Sequence, residues 1–156
     1  MRFIILLFLI FAGCSVKKPI SVLPSIITIK SKSLKFSDIG YIKKYEDMVS
    51  LEIYSAGVAV LRLKIGNNVC TDEGCISKKS FNERFLNKNY PKELLKNVIL
   101  GKPIFNSKNL IKKDDGFEQH IFKVDCYDII YIVKRDKIYF KDRLNKILIK
   151  IRGVNE

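Results

Sequence analysis

The sequence predicts an α+β fold built on an antiparallel sheet, and three observations lead there. Apolar residues alternate with polar ones through the first and last thirds of the chain. The middle third changes to helical spacing. Turn-forming residues separate the alternating runs at intervals suited to hairpins. A sheet of this kind has one apolar face to bury, and helices with apolar stripes can cover it.

The chain opens with Met1-Arg2, then an unbroken apolar run from Phe3 to Phe11, then Ala12-Gly13 directly before Cys14. A charged tip, a short apolar core and small residues at a cleavage point make a secretory signal over residues 1–13. The run is about half the ~20 residues that a membrane-spanning helix needs. The segment Phe11-Ala12-Gly13-Cys14 resembles a bacterial lipobox. That resemblance implies cleavage before Cys14 and acylation of its thiol and new amino group, whereas an ordinary signal peptide would leave the cysteine incidental. Each buried methylene contributes ~0.8 kcal/mol, so several acyl chains would anchor the protein almost permanently. Residues 14–24, with Lys17-Lys18, Pro19 and Pro24, read as a lipidated tether, and residues 25–156 as a single domain.

Within that domain Ile26, Ile27 and Ile29 begin the β character. Leu34, Phe36, Ile39 and Tyr41 continue it with an interruption at Asp38, and Val49, Leu51 and Ile53 alternate strictly with polar neighbours. Ala56-Gly57 allows a tight turn. The adjacent pair Val60-Leu61 breaks the following alternation and predicts a bulge, and Gly66-Asn67-Asn68 ends that strand. Ser80 and Glu83 have capping-box spacing at the head of a first helix carrying Phe81, Phe85 and Leu86. A second helix is predicted from Pro91, with Leu94, Leu95, Val98 and Ile99 as its stripe, Gly101 as a left-handed cap and Pro103 as a stop. From Phe117 onward short apolar runs return, with hairpin connections at Asp136-Lys137 and near Leu144-Asn145.

The composition is 47% hydrophobic and the formal charge is +13. Such an excess favours anionic headgroups and other acidic surfaces. Nucleic acid is not the expected partner, because no Arg/Lys cluster is interleaved with aromatics in a recognisable binding pattern. The lysines are spread evenly, which a lysine-rich genome would also produce.

Chemistry is sparse. Cys70 and Cys75 flank Thr71-Asp72-Glu73-Gly74, an arrangement that brings them together across a hairpin mouth. An oxidising compartment would favour a disulfide, with free thiols or a metal site as alternatives. A metal would need further ligands, and the sole histidine, His120, is remote in sequence. Cys126 reads as a small core residue. Its separation from His120 along one strand disfavours a catalytic pair. Asp114-Asp115-Gly116 reads as a turn, since the other ligands of a calcium loop are absent. No catalytic residue, cofactor or metal is expected.

The order of segments resembles the LolB family of outer-membrane lipoprotein receptors, related in fold to the carrier LolA. The resemblance rests on the lipobox, on the strand–turn–strand from Leu51 to Leu63, on Tyr90 to Pro103 with its Pro-initiated helix ending in Gly-x-Pro, and on the strands from Gly116-Phe117. It implies a curved antiparallel half-barrel covered by two or three short helices, with an apolar cavity for acyl chains; Leu51, Ile53, Leu61, Leu63, Leu95 and Ile99 would line that cavity or the core beside it. Val58 is the nearest counterpart of the family's protruding apolar loop residue, a membrane-contact turn. The implied partners are membrane lipid through Cys14, the acyl chains of lipoproteins and a LolA-type carrier. The implied place is the outer membrane, facing the periplasm; Ser15 after the cysteine is not the Asp that retains many lipoproteins at the inner membrane. The alternative is a structural or assembly lipoprotein with a solid interior that docks other envelope components.

Overall fold

The structure, a computed structural model, describes residues 17–154. The signal segment, Cys14 and the lipobox lie outside the described residues.

Six strands come first: β1 (Ser21–Lys30), β2 (Lys35–Lys44), β3 (Val49–Ser55), β4 (Val58–Ile65), β5 (Asn68–Thr71) and β6 (Gly74–Ser77). Helices α1 (Lys78–Phe85) and α2 (Leu94–Ile99) and a short turn at Phe105–Ser107 follow. Five more strands complete the chain: β7 (Leu110–Lys113), β8 (Gly116–Lys123), β9 (Tyr127–Lys134), β10 (Lys137–Asp142) and β11 (Ile147–Gly153). All eleven join one sheet in the order β6-β5-β4-β3-β2-β1-β11-β10-β9-β8-β7. Each neighbouring pair is antiparallel. The sheet is thus two hairpin meanders, sewn together at its centre where the first strand pairs with the last. The helical segment carries the chain from one outer edge to the other.

This corrects the expected architecture. The body is not a half-barrel covered by two or three helices but a large eleven-stranded sheet, with only two α-helices, of 8 and 6 residues, among the described residues. The physical reason is in the patterning: the short runs after Phe117 and around Cys70-Cys75 each form a complete hairpin, so strand content outgrows what two brief helices can cover.

Side-chain alternation then sorts the sheet into two faces. Ile27 and Ile29 of β1 oppose Ile151 and Ile149 of β11, which oppose Ile138 and Phe140 of β10. On the other wing Leu51 and Ile53 of β3 oppose Leu63 and Leu61 of β4. These residues define the inner face, against which α2 lays Leu94, Leu95, Val98 and Ile99, all buried. Burying side chains of this size contributes about 1.5–3 kcal/mol each, and this cluster is the core.

Local details follow the chemistry of the residues. Ala56 and Gly57 both take left-handed φ values, 48° and 80°, which suits a two-residue hairpin turn. The register shifts so that Ile53 faces Leu61 but Tyr54 faces Ala59, leaving Val60 as the extra residue of the predicted bulge. Gly101 has φ +63°, and the amides of Lys102 and Gly101 donate to the carbonyls of Asn97 (2.8 Å) and Val98 (3.1 Å), a Schellman ending for α2.

Other boundaries moved. The cap of α1 is Ser77, whose hydroxyl accepts from the Ser80 amide at 3.0 Å, rather than Ser80 itself. Pro91 heads a turn, and α2 begins at Leu94. β1 starts at Ser21, so Val22, Leu23 and Pro24 belong to the sheet rather than to the tether. Pro24 is tolerated because its carbonyl accepts from Val154 (3.2 Å), just past the end of β11, where its missing N–H breaks no ladder.

Candidate functional site: an open cleft at one end of the sheet

The strand directions give the sheet two ends. One holds Ser21, Lys44, the β9–β10 turn, Gly153 and the C-terminal end of α2; the other holds the Ala56-Gly57 turn, the β8–β9 turn and the turn after Asp142. At the first end lies a cleft of about 740 Å³ between the inner face and the residues that end α2. Its size falls within the range of small-molecule sites, ~300–1,000 Å³.

The cleft exists because α2 stops early. Its Schellman ending at Gly101 turns the chain away before the last inner-face residues of β1, β2, β10 and β11 are roofed. Leu23, Ile42, Ile99, Val133, Ile138 and Ile151 form the apolar wall. Leu23 shows the consequence: it opposes Ile42, which is buried, yet is itself 56% exposed. Lys44, Lys102 and Arg135 also line the opening, and none of the three joins an ion pair among the described residues. Lys134 is engaged by Asp115 at 3.4 Å, and Asp136 is the acidic residue of the lining. An apolar slot with cations at its mouth can hold a hydrocarbon chain and meet a negative head group.

Of the six residues expected to line a cavity or the core beside it, one borders the cleft and five belong to the core. Ile99 lines the cleft. Leu51, Ile53, Leu63 and Leu95 are core residues no more than 3% exposed, and Leu61 packs partly buried against them. They fill the sheet–helix interface, where α2 packs against both β3 and β10. Val58 follows the β3–β4 turn and is 66% exposed, but at the end of the sheet opposite the one from which residue 17 leads back to Cys14. The cleft residues were missed because they sit at strand ends, where inner-face alternation continues after the covering helix has stopped.

Cys70 and Cys75 are directly opposite in the β5–β6 hairpin and form a disulfide, with Cα atoms 4.0 Å apart. Cys126 is a free, half-buried thiol in the β8–β9 turn. His120 Nε2 pairs with Asp128 at 3.0 Å, not with Cys126, and Arg143 Nε donates to the same carboxylate at 2.8 Å. Bonds from Arg143 and His120 hold Asp128 below the usual carboxylate range. Among the described residues no three His, Cys, Asp or Glu side chains group as metal ligands. No described helix is long and apolar enough to cross a membrane.

A buried polar cluster occupies the other end. Asp142 is fully buried; its Oδ1 accepts from the amides of Asp128, Leu144 and Asn145, and its Oδ2 accepts from the Tyr90 hydroxyl and Asn145 Nδ2, both at 2.6 Å. Burial and this carboxylate push the Tyr90 hydroxyl far above its ordinary range. Every lone-pair direction is taken. The cluster fastens the helical segment to β10 and leaves no open position for a ligand.

No family model matches the chain, and no curated protein matches it. The cleft therefore rests on its own geometry.

Proposed function

We propose that the chain is a lipid-anchored envelope protein that binds acyl chains, or the acylated ends of lipoproteins, for localisation to the outer membrane. The role is similar to that of a LolB receptor. The observation that carries this reading is the cleft: about 740 Å³, apolar inside, cationic at the mouth. It opens at the end of the sheet where β1 begins. Cys14 is seven residue steps from Ser21, so an extended tether spans at most about 25 Å. A cleft so close to an anchoring lipid is placed to receive a chain from that membrane or from a soluble LolA-type carrier. Transfer of this kind needs only apolar burial, with no bond made or broken.

The test uses residues 15–156, which contain every described strand and the whole core, titrated with a fluorescent fatty acid. Saturable binding is expected, weakened at least about tenfold by Ile138→Glu, which introduces a charge into the apolar wall. Leu144→Glu, exposed at the opposite end, should leave it unchanged. Equal binding by both variants, or none by the parent chain, would remove the acyl-binding role. Mass spectrometry of the protein from membranes tests the anchor separately: diacylated or triacylated Cys14 at a new N-terminus is expected.

A further inference from the structure

The outer face of the central strands carries a second feature. Strand register places Lys137, Tyr139 and Lys141 of β10 beside Arg152, Lys150 and Leu148 of β11. These in turn lie beside Ile26, Thr28 and Lys30 of β1, which meet Ile39, Ser37 and Lys35 of β2. Lys30, Lys35, Lys137, Lys141, Lys150 and Arg152 join no ion pair among the described residues. None of the outward positions on these four strands is acidic. The Lys137 ammonium lies 5.9 Å over the Tyr139 ring. Ile26, Ile39 and Tyr41 remain 37%, 54% and 39% exposed beside the cations.

Four strands about 4.8 Å apart, two of them roughly 33 Å long and two roughly 20 Å, make a broad, continuous platform. In a chain with 16 acidic residues, a central face that excludes them all is a sorted surface. Six cations outside any described ion pair give this face a positive potential that attracts an anionic layer, and aromatic rings among them suit the headgroup level of a bilayer.

We propose that the outward face of β10, β11, β1 and β2 docks on a membrane surface bearing anionic phospholipid headgroups. The choice of a membrane over a soluble polyanion rests on the lipid anchor proposed above, whose short tether holds this face within reach of the bilayer. Docked in this way, the sheet lies along the membrane and the cleft mouth opens close to its surface.

The experiment sediments residues 15–156, which lack Cys14, with phosphatidylethanolamine–phosphatidylglycerol vesicles and with phosphatidylethanolamine–phosphatidylcholine vesicles. Each cation near an anionic surface strengthens binding about fivefold. The triple variant Lys141→Gln, Lys150→Gln, Arg152→Gln, whose positions lie outside the cleft, should therefore bind the anionic vesicles at least about tenfold more weakly. Lys88→Gln, Lys92→Gln, Lys108→Gln removes the same charge from exposed positions of the helical segment and should bind within about twofold of the parent. Equal losses in both variants would show net charge alone at work and overturn the proposal, as would no binding by the parent. Stronger binding to polyglutamate or duplex DNA than to anionic vesicles, lost in the first variant, would assign the face to a soluble polyanion and overturn it too. Because the tested chain has no lipid site, failure here is distinct from failure of the anchor, which the Cys14 mass reports.

Discussion

Asp142 is a carboxylate with no solvent exposure, held by three backbone amides, one phenol and one side-chain amide. Removing one neutral donor differs from removing the acceptor that all of them share. Tyr90→Phe should cost about 1–2 kcal/mol, and Asp142→Ala at least about 3 kcal/mol because it strands several buried donors at once. Urea unfolding of the two variants checks the ordering. Gln119, two strands away on the same wing, plays a similar part: its Oε1 accepts from the Ile104 amide, and its Nε2 donates to the carbonyls of Ile104 and Lys108. It clamps a loop in which Phe105, Asn106 and Ser107 have φ values of 48°, 53° and 63°. Left-handed backbone costs a residue other than Gly, Asn or Asp roughly 1–2 kcal/mol, so Ser107→Gly should raise the unfolding midpoint while Gln119→Ala lowers it.

Glu52 gives the pH dependence at this scale. Burial alone would raise its pKa, but bonds from Lys43 (2.8 Å) and Tyr54 (2.9 Å) outweigh that and hold it below the usual glutamate range. A carboxylate more acidic in the folded than in the unfolded chain stabilises the fold above its unfolded pKa. It loses that contribution as pH falls through the folded value. Urea midpoints should accordingly drop as pH is lowered from the ordinary glutamate pKa, and Glu52→Gln should flatten that slope while lowering stability at neutral pH.

At the scale of elements, the disulfide closes a hairpin of two four-residue strands at one edge of the sheet. Closing so short a loop removes little chain entropy, about 2 kcal/mol by loop-closure arithmetic. Reduction should therefore fray β5 and β6, seen as faster amide exchange there, and leave the centre protected. Local elements were largely legible in the sequence because their causes are local. Ala56-Gly57, the bulge at Val60 and the left-handed Gly101 each express a steric preference within a few residues. The start of α1 was misread because Ser77 and Ser80 offer the same hydroxyl chemistry three residues apart, and Ser77 alone precedes the helical backbone. Pro91 suits a helix start and a turn equally, and only the packing of Leu94 decided between them.

Larger relations were not legible. No local pattern says that Ile27 will face Ile151, or that the inner face will run bare past the end of α2. Ile138 shares the inward register of Leu51 and Ile53, and so does Leu23, which the sequence places in the tether. Distance from a helix end separates core from cleft, and a period cannot encode that distance. On the scale of the molecule, the basic outer face and the apolar cleft should differ in their sensitivity to salt. Vesicle binding through exposed cations should fall steeply with ionic strength as the screening length shortens. Fatty-acid binding, carried by apolar burial, should change far less. Measuring both on one preparation would separate the two surfaces.

The seam between the first strand and the last also bears on how the molecule is made. A growing chain can form its early hairpins in sequence, yet β1 keeps a row of amides and carbonyls open on one side until residues 147–153 arrive. The arrival of β11 thus closes the middle of the sheet rather than its rim. A chain cut short before Ile147 would keep most of its strands, but its two meanders would have nothing to join them.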